Sequence, residues 1–258
     1  MQQLGHTRSA RALDHLLQTP ETFVRAPLPG MLNGTAIIHA APALGARFVQ
    51  YTAELQAGGA LSLTDSQRFL YVLDGEVSVD GTSLGPGGYA YIGPATHVGV
   101  TVAASARLAV FEKPYQALEF TLPPAPMHGH EADVAATPLD GDVDIEVRSL
   151  IPDDPGFDFR INTMTYYPGA ALPRVEIHVM EHGLLMLKGG GIYRLGSSWY
   201  PVTEGDFIWM GPHCPQWFAA VGKRPAKYLI YKDWDRHPLG TPHVAPPDPS
   251  PRPGEGEP

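Results

Sequence analysis

An internal repeat constrains the fold of this chain more than any other feature. FLYVLDGEVSV (residues 69–79) is matched in type by LLMLKGGGIYRL (184–195), and PGGYAYIGP (86–94) by EGDFIWMGP (204–212). The matches keep their order at offsets of 114 residues (Leu73 to Leu187) and 118 residues (Gly93 to Gly211). Short runs of β-branched and aromatic residues, repeated at so long a period, predict a duplicated all-β domain. With 28 Gly and 27 Pro in 258 residues, turn formers make up about a fifth of the chain, where average usage gives roughly an eighth. Such punctuation favours many short strands over long helices.

The remaining texture divides the chain. Residues 1–34 read as an N-terminal arm, in which the weakly amphipathic Ser9 to Gln18 predicts a short helix before the irregular APLPGMLNG. Residues 35–115 and 142–236 are the two β-rich halves, each expected to be a double-sheet jelly-roll barrel that limits exposed edges. Residues 116–141 form a connector, and the Pro-rich 237–258 is too poor in apolar residues to offset its ordering entropy, so a disordered tail is expected.

Charge and cysteine content narrow the function. The 27 acidic and 18 basic residues leave a net charge of −9, which repels phosphate backbones and anionic lipid, so neither nucleic acid nor membrane is an expected partner. The single cysteine, Cys214, excludes an intrachain disulfide and suits a reducing compartment. The first residues lack the apolar core of a signal peptide and no run approaches about 18 apolar residues, so a cytoplasmic protein is expected.

The sharpest local signal is RVEIHVMEHG, residues 174–183. Val175, Ile177 and Val179 alternate with Glu176 and His178, so on an extended strand the carboxylate and the imidazole share a face. On a helix the two would stand roughly 200° apart. His182, at even spacing from His178, can converge with them, and two imidazoles with one carboxylate inside a barrel make a metal site of an established type. The same residue types also suit a solvated strand face.

The flanking pattern discriminates between these readings. Gly169, six residues, Glu176-x-His178, three residues, His182, six residues and Gly189 has the layout of the first cupin motif; Gly205, five residues and GPHCPQ has that of the second. The chain resembles a bicupin. With Gln216 where the general pattern has histidine, it is similar to the (S)-ureidoglycine aminohydrolase family, and FVRAPLPG (23–30), GGGIYRL (189–195) and YLIYKDWDRHPL (228–239) extend the likeness.

The resemblance implies two tandem cupin barrels and a homo-oligomer that converts (S)-ureidoglycine to (S)-ureidoglycolate and ammonia. It also implies Mn²⁺ held by Glu176, His178, His182 and Gln216, with Tyr193, Tyr228 and Lys232 contacting a small ureide substrate. Two oxygen donors and two imidazoles suit a six-coordinate, fairly hard ion, and Fe²⁺ is chemically admissible. By the repeat alignment Ser62, Thr64, Arg68 and Val98 take the four ligand places in the first barrel, which therefore cannot bind metal there; the neighbouring His97 reads as structural.

Other features carry less. Met127-His128-Gly129-His130-Glu131 reads as a solvated linker, because no second strand is visible to pin it. Cys214 lacks a nucleophile pattern and reads as a thiol packed near the pocket. Gly189-Gly190-Gly191 lacks the Lys-Ser/Thr of a phosphate loop and reads as a hairpin turn. Two other functions fit the ligand set: a metal-dependent dioxygenase using Fe²⁺, and a non-catalytic ligand-binding bicupin.

Overall fold

A computed structural model describes residues 6–236; the tail expectation for 237–258 lies outside the described residues. Nearly every regular element is a strand, and the described helices are three short 3₁₀ turns. None is long and apolar enough to cross a membrane.

The apolar runs are continuous because both strand faces are buried. In Gln67–Gly75, Leu70 and Val72 point into the core of the first barrel with Tyr51, Leu55 and Val110, while Phe69 and Tyr71 point out into a second core. In the second half Leu184, Met186, Tyr228 and Ile230 fill that barrel's interior, and Leu185, Leu229 and Tyr231 point out. The outward faces meet in a third core between the barrels, where Tyr231 stacks on Phe48 at 4.1 Å and lies 6.0 Å from Phe111. Gly183 is required there, since a Cβ would overlap Gln50 and Phe48 of the first barrel.

The second barrel is an eight-stranded sheet facing a three-stranded one of Gly190–Leu195, Ser198–Thr203 and Gln216–Ala220. The triple glycine is not the expected hairpin turn. His182–Lys188 pairs with Phe207–Met210 and Ala226–Lys232 in the large sheet, whereas Gly190–Leu195 pairs within the small one. Gly189, at φ +64°, turns the chain from one sheet to the other, close under the Pro225 carbonyl.

Two further expectations are corrected. Ser9 to Gln18 holds no helix: Ala10–Arg11 and His15–Gln18 are strands, and the latter pairs with Phe207–Met210 of the second barrel. Pairing satisfies an open sheet edge, whereas a ten-residue helix is marginal by itself. The connector histidines are pinned as well, since Met127–His130 pairs with Gly88–Ile92 of the first barrel. Glu131 is buried beyond it, bonded to Tyr71, Thr163 and Lys227.

Charge pairs also cross between the halves, with Lys113, Asp158, Asp233 and Glu181 buried and Arg47 part exposed. Lys113 reaches Asp158 (3.1 Å) and Asp233 (3.0 Å); Arg47 reaches Asp233 (3.1 Å), and its backbone N–H donates to Glu181 (2.8 Å). Asp233 and Glu181 are the chain neighbours of Lys232 and His182, so the first barrel fixes the strand ends that carry those two residues.

Candidate active site

The segment before His182 lies largely outside the ladders and is held by two isolated bridges, Ala171 to Ala219 and Glu176 to Gln216. Glu176 N–H donates to the Gln216 carbonyl (2.8 Å) and Gln216 N–H returns the bond to Glu176 (2.9 Å). His213 N–H holds the His178 carbonyl at 2.7 Å. The alternation works as predicted, with an inversion: Ile177 is 61% exposed while Glu176 and His178 turn partly inward.

Three of the four side chains stand as neighbours, and the fourth residue, Gln216, is tied to Glu176 through its backbone. His178 Nε2 lies 3.1 Å from Glu176 Oε2, and the His178 and His182 rings are 5.2 Å apart. Gln216 is buried, and its Oε1 accepts a long bond from the Tyr193 hydroxyl at 3.4 Å. Burial opposes ionisation of Glu176, yet the His178 bond and the charges of His178, Lys232 and Arg174 outweigh it, leaving its carboxyl below the usual range. His182 is driven well below its ordinary value by burial first, then by Lys232 and His178, so its ring is neutral. Its buried Nδ1 has no hydrogen-bond partner among the described residues. A neutral imidazole with an unpartnered ring nitrogen, beside an ionised carboxylate and a buried amide, fits a divalent cation.

Lys232 stands opposite His182 in the sheet, with its Nζ 5.9 Å from the centre of the Trp234 ring. Burial lowers its pKa and Glu176 opposes the shift. It opens on a cavity of about 310 Å³ shared with Ser149, Arg160, Asn162 and Trp234. The larger cavity, about 700 Å³, lies between the barrels and is lined by Glu131, Lys227 and other charges. Lys232 lines the smaller cavity, whereas the larger is lined by none of the expected site residues.

Tyr193 and Tyr228 are buried in the second barrel, and burial holds both hydroxyls protonated. Tyr228 reaches Tyr166 Oη at 2.8 Å and Met164 Sδ at 3.3 Å, so it meets the site through Tyr166, a residue the motif did not point to. Asn162 was also missed. The signal that could have found both is the alternation of RINTMTY, which puts Asn162, Met164 and Tyr166 on one face.

Among the described residues, the group of three His, Cys, Asp or Glu donors that lie within 4.8 Å of one another is a different one, Asp14, His15 and Cys214. That trio bonds mainly among its own neighbours. His15 is held by Asp14 (2.8 Å) and Tyr200 (2.9 Å), and burial pushes the Cys214 thiol up to about 12.

The first barrel differs at each ligand place. Arg68 bonds Glu112 (2.6 Å) and the Ser62 carbonyl (2.8 Å), while His97 is exposed beside Asp65.

Fold and site together define the class as a duplicated cupin, and residues 162–231 match the family model described as Cupin domain. The (S)-ureidoglycine aminohydrolase of Arabidopsis thaliana is 42% identical over 248 residues, 91% of this chain and 80% of that protein. The protein of the same name from Escherichia coli K12 is 30% identical over 231 residues, 85% of this chain and 88% of that protein. The crystal structure of protein Ylba from E. coli superposes with a TM-score of 0.79 at 28% identity, covering 91% of this chain and 97% of that one. The chain belongs to the (S)-ureidoglycine aminohydrolase family, a family of hydrolases.

Proposed function

We propose that this chain hydrolyses (S)-ureidoglycine to (S)-ureidoglycolate and ammonia at the mouth of the second barrel, residues 142–236. What supports the reading is that Glu176 neighbours His178, His178 neighbours His182, Glu176 bridges Gln216 and Lys232 stands opposite His182, in a chain whose relatives bear that enzyme's name. In the reaction the carbon–amine bond breaks, a bond to the oxygen of water forms at the same carbon, and the amine leaves as ammonia.

The four residues would hold Mn²⁺, or Fe²⁺ by the same donor chemistry, which when bound supplies Lewis-acid polarisation and a fixed substrate face. Lys232 pairs with the substrate carboxylate, and its partial desolvation strengthens that pairing. Tyr193 positions Gln216 through its hydroxyl, and Tyr228 with Tyr166 closes the floor. The first barrel, residues 35–115, is non-catalytic and serves packing and contacts in a homo-oligomer. The buried thiol of Cys214 suits a cytoplasmic setting.

The test is ammonia release from freshly generated (S)-ureidoglycine by the Mn²⁺-loaded protein against a metal-stripped control, with product chirality followed. Rapid metal-dependent release of the S product is expected. A folded, metal-loaded sample no faster than spontaneous decay would overturn the assignment.

A further inference from the structure

We propose that Asn162, oriented by Ser149, reads the ureido end of the substrate while Lys232 holds its carboxylate. The inference deepens the function proposed above and rests on it.

The strand Arg160–Tyr166 runs antiparallel to Ala226–Lys232, with Arg160 opposite Lys232 and Asn162 opposite Ile230. Alternation sends Asn162 to the face of Met164 and Tyr166, which pack with Tyr228 and Ile230 inside the second barrel. A primary amide that is only 7% exposed calls for a partner. Its Nδ2 has one, donating to Ser149 Oγ at 2.9 Å; its Oδ1 has none among the described residues. Both residues line the cavity onto which Lys232 opens.

The other charges of that cavity are already engaged. Arg160 is neutralised by Asp153 (2.9 Å) and Asp235 (2.7 Å). Lys232 forms no ion pair or side-chain hydrogen bond among the described residues; its nearest electrostatic counterpart is Glu176. The cavity therefore offers one unpaired cation and one unpaired acceptor oxygen, two residues apart on neighbouring strands. Diagonal neighbours of this kind have backbones about 7–8 Å apart, and with both side chains lining one cavity they stand within reach of a single N-carbamoyl amino acid. Its carboxylate satisfies Lys232, and its terminal NH₂ donates to Asn162 Oδ1. The first barrel has no such pair: the residue in register with Asn162 is Tyr51, whose hydroxyl donates to Glu112, the residue in register with Lys232.

The test compares two stable ligands that share the carboxylate and differ at the far end, N-carbamoylglycine and N-acetylglycine, by calorimetric binding to the Mn²⁺-loaded full chain. The wild type is expected to favour the carbamoyl compound about tenfold, the worth of one hydrogen bond to an otherwise unpaired group. Asn162→Leu should erase that preference. Asn162→Asp, which keeps size and acceptor, should retain it and guards against a folding artefact. A preference that survives in Asn162→Leu, or is missing in the wild type, overturns the assignment. Ammonia release by the same wild-type sample separates the two ideas: turnover without the preference defeats the role of Asn162 alone, and a preference without turnover defeats the proposed reaction alone.

Discussion

Arg68 in the first barrel and His182 in the second occupy the same place in their sheets. Arg68 lies between Ile92 and Glu112, and His182 between Met210 and Lys232. In the first barrel the guanidinium sits on Glu112, and the Tyr51 hydroxyl completes the set at 2.9 Å. That barrel mouth carries its own permanent cation, bonded to fixed partners. In the second, the corresponding ring is neutral, an ionised carboxylate belongs to the same cluster and Lys232 has no ion-pair or hydrogen-bond partner among the described residues. In the first barrel an internal ion pair fills the place that His182 takes in the second, where the His182 Nδ1 and Lys232 are left without a hydrogen-bond or ion-pair partner among the described residues, at a cost in stability.

The hardest test of this contrast is a matched pair of substitutions. His182→Ala is expected to lower ammonia release by more than about 100-fold, with bound metal lost and the fold retained by circular dichroism. Arg68→Met should leave turnover per folded molecule and metal content unchanged. Equal loss in both would erase the distinction between the barrels.

Stability should show the reverse order. Arg68→Met strands Glu112 without its cation and is expected to cost about 3–5 kcal/mol in urea unfolding. The double variant Arg68→Met with Glu112→Leu should recover much of that loss, because the uncompensated charge is gone. No recovery would mean that Arg68 acts by packing rather than by charge.

The smallest effect concerns the connector. Lys227, Thr163 and Tyr71 outweigh the burial that opposes ionisation of Glu131 and hold its carboxyl below its ordinary 4.5. A depressed folded value stabilises the protein above the unfolded pKa and loses that stabilisation as pH falls through the folded one. Glu131→Gln should therefore cost about 1.5–3 kcal/mol at pH 7, and the gap to wild type should close below pH 4.5. A gap that stays constant on acidification would remove the charge from the explanation.

The duplication was legible because FLYVL and LLMLK bury both faces of a strand, which forces unbroken apolar runs of the same length in both halves. The ligand segment was legible because Glu176 and His178 alternate with apolar neighbours, a period set by the backbone alone. Three features were hidden. His15–Gln18 is a strand by virtue of the edge it meets, and Leu13, Leu16 and Leu17 imitate a helical stripe. The strand Met127–His130 likewise has its reason in Gly88–Ile92, far away in sequence. Asn162 carries no motif, and only register shows that it shares a wall with Lys232.

The crossed edge strands have a consequence for biosynthesis. His15–Gln18 leaves the ribosome early, yet its partner Phe207–Met210 follows only after the first barrel and most of the second have been made. Throughout that interval the strand has only Ala10–Arg11 beside it and one open edge, and pairings so distant in sequence are slow and exposed to wrong partners. Nascent chains stalled before Phe207 should be open to proteolysis at the His15 segment, and those released after it closed. That contact, among the most distant in sequence, joins the N-terminal arm to the second barrel.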